Sequence, residues 1–523
     1  MTEATLPVLI QQMLRPGFYP HAVTEPIELI QTHVSYVLLT GDYAYKLKKP
    51  VNFGFLDFST LEKRQHFCHE ELRLNQRGAG ELYLEVLPIA LVGEQYQLGG
   101  TAEAVEYVLK MRQFPQESLL STLFDQGKLD ETRLDELGRV VAQYHAEAQT
   151  NDYIRSFGEV LKVRAAFDEN YQQTENYIGG PQTQKQFTET KQYTDKFFAE
   201  RSELFASRIH NNYIRECHGD LHLRNIALWN DKILLFDCIE FNEPFRFVDV
   251  MYDVAFTVMD LEARQRKDLG NAFLNAYIEQ TGDWEGLQVL PLYLSRQAYV
   301  RAKVTSFLLD DPGVPAAVKE EAKKTASEYY KQAWEYTQPK VGELILMSGL
   351  SGSGKSTTAR HLARQQGAIH LRSDAVRKHL GGISLWEKGG DDLYTPEMTE
   401  KTYTRLLELG IILAKQGFSV ILDAKYDRQH LRQEAIAQAT KHEIPLQIIQ
   451  CTAPLEVLKE RLNNRTGDIA DATADLLASQ IKQAEPFTEE EQAYVKILDT
   501  TQSQEAQLKE FVIRNGLRPA SLT

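Results

Sequence analysis

The sequence predicts two domains of different class in series: an α+β domain with a strand-rich small lobe and a helical large lobe, then an α/β domain with a mostly parallel sheet. Three observations carry this. Short alternating apolar and polar runs dominate residues 30–115, helical periodicity governs most of 118–338, and strands alternate with helices beyond about 340. At roughly 150 residues per domain, a chain of 523 residues holds two to four domains.

Composition narrows the class. With 43% hydrophobic and 25% charged residues the chain is neither disordered nor collagen-like nor a coiled-coil rod. Cys68, Cys217, Cys238 and Cys451 form no CxxC pair, which argues against a zinc ribbon, a thioredoxin motif or a disulfide framework, and suits small buried thiols in a reducing compartment. No stretch approaches 18 uninterrupted apolar residues, and the first twelve residues lack a basic start followed by an apolar run, so no membrane partner and a cytoplasmic location are expected. The net charge of −15 speaks against a nucleic-acid partner, because such binding relies on Lys and Arg neutralising phosphates. Most of that charge lies in residues 1–340; from 341 on, 22 Lys and Arg nearly balance 24 Asp and Glu.

In chain order, strands are expected at 34–39 and 43–47 around a Gly41-Asp42 turn, and a helix over 60–77 with Leu61, Phe67, Leu72 and Leu74 near one face. A hairpin follows over 82–98. The helical part that comes next is interrupted by a strand-loop-strand segment at 217–241. The Ala, Lys and Glu-rich stretch 315–337 reads as a helix that stops at Gln338-Pro339-Lys340. The expected domains are therefore 1–340, with a small lobe over about 25–115 and a large lobe over about 116–337, and 341–523. In the second, strands at 343–347, 368–371, 419–422 and 446–451 alternate with helices at 355–366, 397–416, 428–442 and 455–464, the pattern of right-handed parallel crossovers.

Gly349-Leu350-Ser351-Gly352-Ser353-Gly354-Lys355-Ser356 matches GxxxxGK[ST] between an expected strand and an expected helix. Such glycines let main-chain amides close around phosphate oxygens at a helix N-terminus; the run through Thr357 is the expected phosphate cradle. Lys355 would reach the β and γ phosphates and the Ser356 hydroxyl would face Mg²⁺. Asp423, after an apolar strand, would lie at the carboxyl edge of the sheet, as a Mg²⁺ partner or as a loop carboxylate. In Arg372-Ser373-Asp374-Ala375-Val376-Arg377, Asp374 would be a general base or a helix cap, and Arg377 a clamp for an anionic substrate. Arg461 and Arg465 share a helix face, suiting either a mobile lid over the phosphates or a solvated surface. Through these motifs residues 341–500 resemble the P-loop small-molecule and nucleotide kinases of the gluconate kinase, zeta-toxin and polynucleotide 5′-kinase group. The resemblance implies that Asp374 activates the acceptor hydroxyl.

A second constellation precedes it. His218-Gly219-Asp220-Leu221-His222-Leu223-Arg224-Asn225 is followed by an apolar strand and Asp237, placing one carboxylate near an incoming hydroxyl and an Asn plus another carboxylate near a metal. This resembles the loop of the aminoglycoside and choline phosphotransferases, which have a protein-kinase-like fold. The resemblance implies Asp220 as base and Asn225 and Asp237 as Mg²⁺ ligands. Lys46 and Lys48 share a strand face, and either could meet the phosphates and pair with Glu70 or Glu71; Lys46 with Glu71 is the preferred pair. Residues 106–111 hold the position of an adenine-contacting hinge. Two features depart from protein kinases: no GxGxxG covers the phosphates, and Asp237-Cys238-Ile239 lacks the DFG glycine. His210, His218 and His222 read as loop packing rather than metal ligands, and Asp249 and Asp253 as structural partners of the loop or of Arg296 and Arg301.

From about residue 5 to 515 the chain resembles the bacterial family of bifunctional aminoglycoside phosphotransferase/ATP-binding proteins, also described as AAA family ATPases. The expectation is an enzyme with two modules that use ATP and Mg²⁺ to phosphorylate hydroxyl groups of small molecules. The competing expectation is a regulatory pseudokinase joined to an ATPase switch or to a nucleic-acid 5′-hydroxyl kinase.

Overall fold

The computed structural model describes residues 6–100 and 102–501. The outer ends of the two expected domains, 1–5 and 502–523, lie outside the described residues. After a short helix at Val8–Met13 come strands β1 (Glu28–Gln31), β2 (Ser35–Leu39) and β3 (Tyr43–Lys48), helix α1 (Leu61–Ala79), and strands β4 (Tyr83–Val92), β5 (Gln95–Leu98) and β6 (Ala104–Arg112). Helices α2 (Glu131–Glu147), α3 (Val160–Thr174), α4 (Gln184–Glu200) and α5 (Ser202–His210) lead to short strands β7 (Ile214–Glu216), β8 (Ile226–Trp229), β9 (Lys232–Leu235) and β10 (Phe247–Asp249). Helices α6 (Val250–Ala263), α7 (Lys267–Thr281), α8 (Leu290–Asp310) and α9 (Ala316–Glu335) follow. The last part alternates: β11 (Glu343–Ser348), α10 (Lys355–Gln366), β12 (Ile369–Arg372), α11 (Ser373–Leu380), α12 (Pro396–Lys415), β13 (Ser419–Asp423), α13 (Gln429–Lys441), β14 (Leu446–Thr452), α14 (Leu455–Asn463), α15 (Leu477–Gln483) and β15 (Val495–Asp499).

These elements gather into two compact units. The first holds the chain up to Leu129, Gln143–Asp260 and Leu292–Trp334; the second holds Asp130–Ala142, Leu261–Pro291 and the chain from Glu335 on. The second unit thus includes α7 and most of α2, from within the expected helical lobe.

In the first unit a six-stranded antiparallel sheet runs in the order β1-β2-β3-β6-β4-β5. Its alternation buries Leu38, Tyr45, Leu47, Ile89 and Val108 on one core with Ile10 and Met13. Helix α1 starts where the Thr60 hydroxyl accepts the Lys63 amide at 3.3 Å, the capping that satisfies an otherwise orphan N–H. It buries Cys68, Glu71 and Leu74, so one of its buried residues is an acid. Strands β8 and β9 form the hairpin expected between 217 and 241.

In the second unit five parallel strands run in the order β12-β13-β11-β14-β15. Ile345, Met347, Ile421 and Ile449 pack beneath α10 through Ala359, Leu362 and Ala363. The carboxyl ends of β11, β12 and β13 bring Ser348, Arg372 and Asp423 to one edge of the sheet, where ligands of open α/β sheets bind.

Strand β12 is an edge of this sheet, and an uncovered edge invites unwanted pairing. Helix α7 covers it with Asn271 and Asn275, four apart and so on one face. Asn271 Nδ2 donates to the Ala368 carbonyl at 2.9 Å, Asn275 Nδ2 donates to the same oxygen at 3.1 Å, and the His370 amide donates to Asn275 Oδ1 at 2.8 Å. Gly138 permits the neighbouring α2 to approach α7, since a Cβ there would sit 2.6 Å from the Phe273 carbonyl. Among the described residues no helix is long and apolar enough to cross a membrane.

Replacing Asn275 by Leu strands the His370 amide and should cost about 1–3 kcal/mol, the desolvation penalty of an unsatisfied buried donor. Urea unfolding of the full chain measures it; an unchanged midpoint would show that α7 does not brace this edge.

Candidate functional site

In the second unit the turn between β11 and α10 is the glycine-rich loop. Gly349, Gly352 and Gly354 have φ of 136°, 79° and 87°, backbone that disfavours any side chain. Space forbids one as well: a Cβ would lie 2.5 Å from the Cys451 carbonyl at Gly349 and 2.7 Å from the Leu458 carbonyl at Gly352. Lys355 Nζ bends back to donate to the Leu350 carbonyl at 2.8 Å. Burial lowers its pKa against the pull of Asp423, Cys451 and Asp374. The Ser353 hydroxyl is buried in the loop with no partner, and Thr357 stands exposed on the first turn of α10.

Two carboxylates face this loop. Asp423 ends β13, is 3% exposed, accepts from His370 Nε2 at 3.0 Å and bonds the Ser356 hydroxyl. Burial pushes its pKa up, but His370, Arg372 and Ser356 prevail and hold it down at about 2. Asp374 lies in the first turn of α11, whose start carries no side-chain cap, so its carboxylate does not serve as the cap that the sequence also allowed. Burial first, then the charges of Asp423 and Asp468, outweigh Arg372 and raise its pKa above the ordinary value. Two neighbouring carboxylates are thus driven apart, one held firmly ionised and one easier to protonate than an ordinary carboxylate, a pattern suited to acid–base work.

Three arginines occupy positions other than those expected. Arg377 is 8% exposed and donates to the Leu393 carbonyl at 2.8 Å and the Thr399 hydroxyl at 3.3 Å; it braces the segment after α11 instead of lying open to a substrate. Arg461 donates to the Gly352 carbonyl at 3.3 Å and to the Thr500 carbonyl at 2.6 Å, so it builds the wall of the glycine loop. Arg465 donates to the Ala470 carbonyl at 2.9 Å and to that of Ala472, closing its own turn. Backbone carbonyls in reach compete for a guanidinium that sequence spacing alone leaves free. Residues that sequence reading missed include Arg372, which donates to Asp468 Oδ1 at 2.5 Å and lies 3.6 Å from Glu279. Gln480 is another: its amide oxygen accepts the Ser351 N–H and its NH₂ donates to the Ser351 hydroxyl, each at 3.0 Å.

In the first unit a cavity of about 480 Å³ is lined by Lys46, Met111, Asp220, Asn225, Asp237 and Phe241, among others. Period-two geometry sends Lys46 and Lys48 to the same face, as the sequence implied. Lys46 Nζ donates to Glu71 Oε1 at 2.7 Å and to Asp237 Oδ1 at 2.8 Å. Lys48 Nζ donates to Glu71 Oε2 at 2.6 Å and also to Glu240. Burial pushes Glu71 up, but the two ammonium groups win and hold it below the usual carboxylate range. Glu240, whose burial is reinforced by the Glu71 charge, is pushed up. Glu70 instead pairs with Arg73 at 2.9 Å. Asp237 sits at φ 62°, an uncommon conformation for a residue with a side chain, of the kind that clusters at functional sites.

Asn225 Nδ2 donates to the Asp220 carbonyl at 3.0 Å and to its Oδ2 at 3.1 Å, while His222 Nε2 lies 3.4 Å from that carboxylate. Burial raises the Asp220 pKa, yet His222, His218 and Arg301 bring it below its ordinary value. The loop is held from beneath by Asp253, which accepts the His218 amide at 2.7 Å and the Gly219 amide at 2.8 Å. His145 and Cys217 approach Asp253 closely enough to suggest a metal group, but its oxygens already take those amides and His145. Asp249 pairs with Arg208 at 2.6 Å, not with Arg296 or Arg301.

Lys48→Met leaves Glu71 with one partner and Glu240 with none from this lysine, and should cost about 3–5 kcal/mol in chemical unfolding. A loss under about 1 kcal/mol would show that the pairing is not buried in solution.

The AAA domain family matches residues 344–487. An adenylyl-sulfate kinase of Myxococcus xanthus is 33% identical over 123 residues, covering 23% of this chain and 63% of that enzyme. Among solved structures, a gluconokinase from Sinorhizobium meliloti 1021 is 21% identical, with 34% of this chain and 92% of that chain covered and a TM-score of 0.26. The uncharacterized proteins Rv2004c of Mycobacterium tuberculosis and Mb2027c of Mycobacterium bovis are each 33% identical over 465 residues, 88% of this chain and 91% of theirs. Residues 344–487 accordingly carry an AAA domain on a parallel sheet, and the chain belongs to the family of Rv2004c and Mb2027c.

Proposed function

We propose that the protein is an ATP-dependent phosphotransferase with two sites, each moving the γ-phosphate to a hydroxyl of a small molecule. The observation that carries this reading is Asp374 in the second unit. It is a half-buried carboxylate with raised pKa, near an ionised Asp423 and a lysine threaded into a glycine-rich loop.

The residues fit a nucleoside triphosphate with Mg²⁺. The loop lacks Cβ atoms at its three glycines, Ser353 keeps an unspent buried hydroxyl, and Ser356 and Asp423 offer adjacent hard oxygens of the kind Mg²⁺ takes. Bound Mg²⁺ would supply neutralising charge to the β and γ phosphates. Lys355, released from the Leu350 carbonyl, would bind the same phosphates, and loop amides other than those of Gly349, Ser351 and Ser353, which Lys425, Gln480 and Leu350 take, would orient them. Asp374 would take the proton of the acceptor hydroxyl on a carboxylate oxygen, its raised pKa bringing it closer to the operating pH.

For the first unit, a protein-kinase-like fold related to the aminoglycoside and choline phosphotransferases is supported by the antiparallel sheet, by Glu71 on α1 reaching Lys46, and by Asp220 and Asn225 in one loop. Lys46 would orient the α and β phosphates while Glu71 holds it in place. Asn225 and Asp237 would hold Mg²⁺, a hard-oxygen pair that fits the ion, and Asp220 would accept the hydroxyl proton.

Asp374→Asn should lower kcat at the second site by about 10²–10⁴-fold. In the wild type the rate should rise with pH through a value above the ordinary carboxylate pKa of about 4, because the base works only once deprotonated, and that limb should vanish in the variant. Mass spectrometry of a metabolite extract incubated with ATP identifies the products. A phosphorylated product lost in Asp374→Asn but kept in Asp220→Ala belongs to the second unit. ADP release without any phosphorylated product would overturn the phosphotransferase reading in favour of an ATPase switch.

A further inference from the structure

Helix interiors meet through apolar faces as a rule, yet three helices of the second unit turn polar residues toward one crevice. Each offers residues four apart: Asp135 and Arg139 from α2, Asn271, Asn275 and Glu279 from α7, and Arg360 and Arg364 from α10, with Arg372 of β12 at the base. The crevice has a volume of about 50 Å³. That is several times the roughly 10–15 Å³ that one water needs by this kind of measure, and far too little for a nucleotide.

Four guanidinium groups line it against two carboxylates. Arg364 donates to Asp135 Oδ2 at 2.9 Å and also to Glu131; Arg372 reaches Glu279 at 3.6 Å and Asp468 at 2.5 Å. Arg139 and Arg360, on α2 and α10, have no carboxylate within ion-pair distance among the described residues; Arg139 stacks on Trp386 with its guanidinium carbon 5.9 Å from the ring centre. Arg364 Nε and Arg372 Nε are buried and donate to no acceptor among the described residues. A group of donors left unspent in a polar recess calls for an acceptor. Burial also raises the Asp135 pKa, so this lining acid holds its negative charge less firmly than usual.

We propose that this crevice binds a small inorganic oxyanion of phosphate size, at a site separate from the glycine loop, and that its occupancy is coupled to nucleotide binding there. Guanidinium forks match the geometry of phosphate oxygens, and two of them, on Arg139 and Arg360, form no ion pair with a carboxylate among the described residues, though both charges act on Asp135. The coupling has a physical route. His370 lines the crevice and donates to Asp423, and Arg372 lines it and lies 3.9 Å from the same carboxylate. The coupling clause rests on the nucleotide reading of the loop; the binding clause does not.

The test is calorimetric titration of the full chain with inorganic phosphate, the glycine loop being filled by a non-hydrolysable ATP analogue. One phosphate site is expected to persist in the presence of the analogue. Arg360→Ser, at an exposed position, and Arg139→Ser should each weaken it by at least about tenfold without changing analogue affinity in phosphate-free buffer. Phosphate and analogue should alter each other's affinity by the same factor, as linkage requires. Phosphate binding that disappears on adding the analogue, or that survives both substitutions, overturns the site. Equally strong binding of phenyl phosphate overturns the assignment to the free ion. Mutual affinities that do not move overturn the coupling. Titration of the Lys355→Ala protein with phosphate alone keeps the two readings apart, since the crevice should still bind there even if the loop takes no nucleotide.

Discussion

The absence of side chains at Gly349, Gly352 and Gly354 is the constraint on which the second unit's chemistry depends. Neighbouring carbonyls of Cys451 and Leu458 approach so closely that even a methyl group at Gly349 or Gly352 would collide with backbone. The loop is therefore shaped by the strands and helix around it: β14 supplies Cys451, α14 supplies Leu458 and Arg461, and the Gly349 amide donates to the Lys425 carbonyl beyond β13. A phosphate-sized cradle exists because three separate stretches of chain press a glycine-rich turn into one conformation.

Around that loop the carboxylates are tuned by burial and by each other. Asp423 is ionised because a buried carboxylate can stay charged where a histidine, a hydroxyl and an arginine answer it; at Asp374 burial and the charges of Asp423 and Asp468 outweigh Arg372 and Arg377 and push it the other way. The first unit uses a different device. There a chain of alternating charge, half-exposed at Asp237, running through Lys46 and buried at Glu71, Lys48 and Glu240, fixes the positions of the groups that line its cavity. Removing one member leaves its neighbours charged in a poor solvent, so the network is held together as much by what breaking it would cost as by attraction.

The local parts of both sites were legible in the sequence. The glycine loop is a contiguous motif whose residues act on one another's backbone, and the shared face of Lys46 and Lys48 follows from strand alternation. What could not be read is contact between distant stretches. Glu279 meets Arg372 across 93 positions, Asn275 caps the edge of β12, and Gln480 clamps Ser351, none of which leaves a periodic signature. The arginines of α11 and α14 have a helical spacing that suits a substrate clamp or a lid, but carbonyls brought in by folding engage them first. Strand β15 escaped notice because it is a short edge strand with only Leu498 buried, so hydrophobic alternation is weak there.

Calorimetric titration with Mg²⁺–ATP at low phosphate tests the central claim most directly. The full chain should bind nucleotide at two sites, and Lys355→Ala should abolish one of them while the other keeps its affinity. A Lys355→Ala protein that binds at both sites as the wild type does would contradict the assignment of the glycine loop as a triphosphate cradle.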